Sequence, residues 1–194
     1  PKNHDKPVPA ANDGASGVGV IISMAHSLKT TKPAYGIDLI LFDVEDYGKG
    51  EFQNSFCLGS QYWTANKHVP NYTANYGVLL DMVGAKDALF GRESFSEQNA
   101  GYIMSHTWNI AQELGYGNHF VNTASGPTID DHYYVNKGTG IPMIDVIQFD
   151  PKGGFADYWH TIKDDITTIH KPTLKAVGTT MLHLVFNPPF TLAQ

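Results

Sequence analysis

The 194-residue sequence contains a single cysteine, Cys57, so no disulfide can form within it. A lone thiol says little about redox compartment and is ordinarily a small buried core residue. Lys and Arg form no run, and 13 basic against 19 acidic residues leave a formal net charge of −6. That argues against nucleic acid as a partner, because a phosphate backbone is gripped by a basic stripe. No apolar stretch approaches the roughly 20 residues of a membrane-spanning helix. Charged residues amount to only 16% against 42% hydrophobic, a balance that forms a sizeable core and excludes wholesale disorder. No signal peptide opens the chain. Its first ten residues, Pro1 to Ala10, hold three prolines and read as a loop within a longer protein. The expectation is one catalytic domain over residues 1–194 that lacks an upstream segment.

What is present has an alternating order. Asn12-Asp13-Gly14 is a turn and helix start. A helix follows from Ala15 to Leu28, with Val18, Ile21, Ile22, Ala25 and Leu28 on one face. The continuous apolar runs Ile37 to Phe42, Tyr76 to Met82 and Ile141 to Phe149 read as strands buried on both faces. Ser96 to Leu114 reads as a helix with the stripe Ile103, Thr107, Ile110 and Leu114. Pro172 to Val185 reads as a closing helix facing inward through Leu174, Val177, Met181, Leu182 and Val185. Tyr47 to Phe56 and Asn122 to Ile129 read as loops. Strands alternating with helices predict an α/β fold, a sandwich around a mostly parallel sheet.

The acidic residues gather where these elements end, which is where such a sheet assembles a site. Asp43, Glu45 and Asp46 follow the first apolar run, Asp81 lies near the end of the second, and Asp13 opens the first helix. Asp130 and Asp131 precede His132, and His160 follows Trp159 beyond the third run. Zinc takes imidazole nitrogen and carboxylate oxygen, and a catalytic site uses three protein ligands with one position open. Asp13, Asp46 and His160 are such a set, and Glu45 beside Asp46 is a free acid able to move protons. Each signal alone has an ordinary reading. An Asp before Gly is commonly a turn or cap residue, a Glu-Asp pair a solvated loop, and a His after an aromatic a packing residue.

The segments taken in order resemble a family. Ala11-Asn12-Asp13-Gly14-Ala15-Ser16-Gly17, Leu41-Phe42-Asp43-Val44-Glu45-Asp46 and Leu79-Leu80-Asp81-Met82-Val83-Gly84-Ala85 look like successive segments of the zinc aminopeptidases and glutaminyl cyclases. Asp130-Asp131-His132, Gly140-Ile141-Pro142 and Trp159-His160-Thr161 complete the series, which runs from Asp13 to the last helix. The resemblance implies a three-layer sandwich with helices on both sides of a central sheet. It implies zinc held by Asp13, Asp46 (where the family usually has Glu) and His160, and Glu45 as general base and acid. In the two-zinc aminopeptidases Asp81 would bind a second metal together with an upstream His. His4 sits in a Pro-rich loop and does not look like that ligand.

Trp159 directly before His160, and Phe155 five residues earlier, resemble the substrate pocket of the cyclases. Asp130 resembles a cyclase Asp that shares hydrogen bonds with the partner of Asp81. The position where animal cyclases place another pocket Trp is Glu51 here, leaving Phe52 or Tyr47 as substitutes. The Glu-Asp-Tyr-Gly and Cys-Leu-Gly-Ser patterns look more like bacterial members, whose exported setting implies a periplasmic or surface location. The favoured expectation is a glutaminyl-peptide cyclotransferase acting on peptides with N-terminal Gln, with Asp81 and Asp130 assisting proton passage. A zinc aminopeptidase is the alternative, and a non-catalytic binding domain on the same fold a second one.

Overall fold

The computed structural model describes residues 6–52 and 54–190; His4 lies outside them. Helix α1 spans Ala15–Thr30 and α2 Leu58–Ala65. Strands β1, Gly77–Asp81, and β2, Leu89–Arg92, precede helix α3, Ser94–Glu113. Strand β3, Phe120–Ala124, leads to helix α4, Asp131–Thr139, and strand β4, Met143–Phe149. Helix α5, Lys171–Phe186, closes the fold.

The four strands form one sheet in the order β1-β4-β2-β3. The β1–β4 and β2–β3 pairs are parallel and β2–β4 is antiparallel. Helices α1, α3 and α5 pack together, with α1 against β1 and α3 against β4; α2 and α4 pair, with α4 against β1 and β4. Alternation along the strands separates two cores. Ile144 and Val146 of β4, with Val78 and Leu80 of β1, join the larger core around Trp108, Phe90 and Phe120. Met143 and Leu79 join the smaller one with Val135, Ile141, Trp63 and Phe42. Asp81 and Asp145 stand in phase with Leu79 and Met143, which turns both carboxyls toward the α4 side.

Four expectations are corrected. Ile37 to Phe42 is not a strand: among the described residues it pairs with no ladder, and Leu39 and Leu41 are 41% and 59% exposed. A trough of about 1030 Å³ separates it from β1 and α1. Without burial these side chains forgo most of the roughly 1.5–3 kcal/mol that an enclosed Leu contributes. The Gly77–Asp81 strand is only half-buried throughout, because β1 is a sheet edge. The inward face of α1 is Ser16, Gly17, Val20 and Met24, rotated from the apolar stripe, and Ile22 is 52% exposed. Gly17 decides the rotation, since a Cβ there would stand 2.1 Å from the Leu80 carbonyl oxygen. Strands β2 and β3 are additional to the three apolar runs; β3 takes the first residues of the expected Asn122 to Ile129 loop. The stripe of α3 is placed as read, with Ile103, Thr107 and Ile110 buried.

Candidate metal and catalytic site

Asp13 does not cap α1. The N-cap is Gly14, without any side-chain cap bond, so the Asp13 carboxylate is free for the site. Its backbone is fixed from elsewhere. Buried Asp164 accepts from the N–H of Asn12 at 2.8 Å and of Asp13 at 3.0 Å. The Asn12 side chain accepts from Gly84 N–H at 2.8 Å and donates to Gln148 and the Tyr158 hydroxyl. Ser16 accepts from Val83 N–H. These bonds tie the start of α1 to the segment that follows β1.

Glu45 and Asp46 are held differently. The carbonyls of Asp43, Val44 and Glu45 accept from the N–H groups of Gly59, Leu58 and Cys57 at 3.1, 3.2 and 2.8 Å. The acidic loop therefore satisfies donors that the start of α2 leaves open. Val44 adopts a left-handed φ of 55°, consistent with the sharp bend there. The Cys57 thiol donates to Glu45 Oε1 at 3.3 Å.

The three expected ligands converge. His160 Nε2 is 3.1 Å from Asp46 Oδ1 and 3.4 Å from Asp13 Oδ2. Ligand atoms of all three lie within 4.8 Å of one another. Around a tetrahedral zinc with bonds of about 2.0–2.2 Å, neighbouring ligand atoms stand roughly 3.3–3.6 Å apart. Two carboxylates and one imidazole at these separations fit the ion. Burial, then the Asp46 charge, raises the Asp13 carboxyl from 3.8 to about 6, against the opposing pull of His160. That is the electrostatic demand a divalent cation answers.

Glu45 lies beside this set, with Oε or Sγ atoms of Glu45, Cys57 and Asp130 within 4.8 Å of one another. Burial, then the Asp130 and Asp46 charges, raises its carboxyl from 4.5 to about 8. Asp81 is raised well above the usual carboxylate range by burial and by Asp130, Asp13 and Glu45. Asp130 is likewise raised by burial, although His132 and the Asp131 N–H pull the other way. Asp130 also caps α4 through that N–H, so its ordinary role and its candidate role coexist. Asp13, Glu45, Asp46, Asp81, Asp130 and Asp131 all line the trough.

Trp159 stacks on His160 with ring centroids 3.8 Å apart and an interplanar angle of 23°. Phe155 lies 4.8 Å from Trp159 and lines a smaller cavity of about 370 Å³ with Ile129, Gln148 and Phe149. Tyr47 reaches the trough, whereas Phe52 is 60% exposed and does not line it. Sequence reasoning missed Asn12, Asp164, Glu93 and Asp145. Only Asn12, within the quoted Ala11-Asn12-Asp13-Gly14 segment, carried any sequence signal.

The model of Peptidase family M28 matches residues 3–185. The chain belongs to peptidase family M28. Among solved structures, a Zn-dependent exopeptidase from Parabacteroides distasonis shares 48% identity with this M28 chain, with a TM-score of 0.93. The match covers 96% of this chain and 66% of that one. Tannerella forsythia glutaminyl cyclase shares 46% identity at a TM-score of 0.92, over 95% and 66% of the two chains. Aminopeptidase YwaD of Bacillus subtilis is 27% identical over 178 residues, which is 88% of this chain and 36% of that relative. The M28 chain thus spans about two thirds of the solved structures and about a third of the aminopeptidase. The zinc-exopeptidase fold and the zinc chemistry read from the sequence agree with these relatives.

Proposed function

We propose that the protein carrying this chain is a glutaminyl-peptide cyclotransferase, converting N-terminal Gln to pyroglutamate with release of ammonia. The supporting observation is Trp159 stacked on the His160 member of the metal set, with Phe155 packed against Trp159. Such an aromatic pair suits a flat amide side chain held for ring closure. The likeness to glutaminyl cyclases of Tannerella forsythia and other bacteria supports the same reading.

Asp13, Asp46 and His160 would hold zinc, which supplies a Lewis acid for the γ-amide carbonyl. Glu45 takes a proton from the α-amine as its nitrogen closes on the carbonyl carbon of the γ-carboxamide, and returns one to the ammonia that leaves as the amide C–N bond breaks. A carboxyl raised toward neutrality by burial is suited to both transfers. Asp130, close to Glu45, and Asp81 support that proton through hydrogen bonding. Trp159 and Phe155 restrict rotation of the Gln side chain and exclude water from the reacting atoms. The setting is an exported one, a reading that rests on the bacterial cyclases the chain resembles; cell fractionation of a tagged protein tests it.

A zinc aminopeptidase is the second reading, favoured by the likeness to aminopeptidase YwaD and by Asp81 standing beside the Asp13–Gly14 turn. There Glu45 would deprotonate water for attack on a peptide carbonyl. The full-length protein given Gln-peptides and aminoacyl anilides distinguishes the two. Pyroglutamyl product without anilide hydrolysis supports the cyclase, and hydrolysis of anilides with two zinc ions per chain overturns it.

A further inference from the structure

Among the described residues three carboxylates are 0% exposed: Glu93, Asp145 and Asp164. Glu93 and Asp145 face the His132 ring, at 3.0 and 3.6 Å. Burial opposes ionisation of Glu93, but bonds from His132, Ser96 and Phe95 outweigh it and bring its carboxyl down to about 2. Asp164 is different. Among the described residues no basic side chain pairs with it.

Its donors are neutral, and most belong to the metal site. Oδ1 accepts from the Asn12 N–H at 2.8 Å and from the Thr168 hydroxyl at 3.3 Å, and Oδ2 from the Asp13 N–H at 3.0 Å. The Asp164 carbonyl accepts from the Ala11 N–H at 3.0 Å. One residue therefore fastens three in a row, the last of them Asp13. The same segment is tied to the other flank of His160, because Asn12 Nδ2 donates to the Tyr158 hydroxyl at 3.1 Å. Between the two ties the chain is wound tightly. Thr161 N–H donates to the Tyr158 carbonyl at 3.0 Å and Asp164 N–H to the Thr161 carbonyl at 3.1 Å, and His160 takes a left-handed φ of 53°. The His160 ring meets Trp159 and the Asp13 and Asp46 carboxylates. A metal-binding imidazole ordinarily has its other nitrogen fixed by a carboxylate or carbonyl. Among the described residues none does so here, and the aim of the ring rests on the Trp159 stack and on the loop that carries it.

A carboxylate buried among neutral donors is costly, and a neutral acceptor could close the same turn. That cost is offset when a cation binds nearby to ligands whose spacing is already set. We propose that Asp164 is a positioning residue of the metal site, presetting the spacing of Asp13 and His160 so that zinc meets a formed pair. This rests on the assignment of Asp13, Asp46 and His160 as ligands, and holds for the cyclase and the aminopeptidase alike. The start of α1 by itself also favours a nearby anion, so the test separates positioning from support of the fold and from charge.

Metal is stripped from the full-length protein and zinc is titrated against a chelating indicator. The titration is repeated with Co(II), whose visible bands report ligand geometry. Asp164→Asn, equal in size, keeps one acceptor oxygen and turns an amide N–H toward a backbone N–H. It is expected to raise the zinc Kd about 10–100-fold and to shift the cobalt bands, with far-ultraviolet dichroism unchanged. Tyr158→Phe loosens the other tie and is expected to raise Kd about threefold, the worth of one neutral hydrogen bond. Should Asp164→Asn not fold, Tyr158→Phe decides, and a wild-type Kd there overturns the proposal. In folded Asp164→Asn a wild-type Kd overturns it too, even when urea shows the variant less stable. So does weaker zinc binding with unshifted cobalt bands, which assigns the loss to charge alone. Zinc binding that His160→Ala leaves intact defeats the ligand assignment instead, and this inference with it.

Discussion

Replacing Asp13 by Asn is expected to stabilise the metal-free protein at pH 7 and to weaken it once zinc is supplied. The folded environment raises the Asp13 carboxyl from 3.8 to about 6, through burial first and the Asp46 charge second. For an acid raised on folding, the stabilising contribution is complete below pH 3.8. It is lost as pH climbs through about 6, because the ionised form is worse off in the fold than in the unfolded chain. At about 1.4 kcal/mol per pH unit, that displacement amounts to about 3 kcal/mol of penalty at neutral pH. The side chain is only 16% exposed, so solvent screening removes little of it. Asp13→Asn carries no charge and escapes the penalty. Urea unfolding in chelator is expected to show the variant more stable than wild type by about 3 kcal/mol at pH 7, with the gap closed by pH 4. With free zinc at a thousand times its Kd, wild type gains about 4.1 kcal/mol and the variant gains far less, reversing the order. A metal-free variant less stable than wild type at pH 7, or equal protection of both by zinc, would refute the argument.

Glu45→Gln is expected to keep its bound zinc and lose about 10²–10⁴ in kcat, the usual worth of general acid–base help; metal analysis and initial rates check both halves. Gly17→Ala pushes a methyl into the Leu80 carbonyl oxygen at 2.1 Å. Thermal unfolding is expected to register a loss of about 1–3 kcal/mol, with activity falling as β1 is displaced. Glu93 is held at about 2 against its ordinary 4.5, so its contribution, about 3 kcal/mol, is present above pH 4.5 and fades as pH falls toward 2. Urea midpoints of wild type and Glu93→Gln are expected to differ most at neutral pH and to converge below pH 3.

The residues proposed to bind or react were legible because chemistry restricts their types. Asp13, Asp46 and His160 announce themselves at element ends, and the structure brings their ligand atoms together. The supporting residues were silent. Asp145 sits inside the apolar run of β4, and nothing in IPMIDVIQF says that its side chain will meet His132 rather than cap a turn. Asp164 reads as one more exposed acid until its bonds to Asn12 and Asp13 are seen. Hydrophobicity also misled where its partner was not fixed by local pattern. Ile37 to Phe42 has the composition of an inner strand, yet composition does not supply the neighbouring ladder that makes a strand. In α1 the apolar stripe lost to close backbone approach: Gly17 and Ser16 are small enough to meet β1, so the helix turns that face inward.

Asp164 carries a mechanical consequence. It lies four residues beyond His160 on the same loop, and its carboxylate clasps the backbone of Asn12 and Asp13. Two of the three proposed metal ligands, from opposite ends of the sequence, are thereby bolted to a common bracket. Asp46 hangs from a separate support, the mouth of α2, with its side chain 55% open to solvent. In the proposed metal site Asp46 would therefore be the jaw, the one ligand held apart from the bracket that fixes the other two.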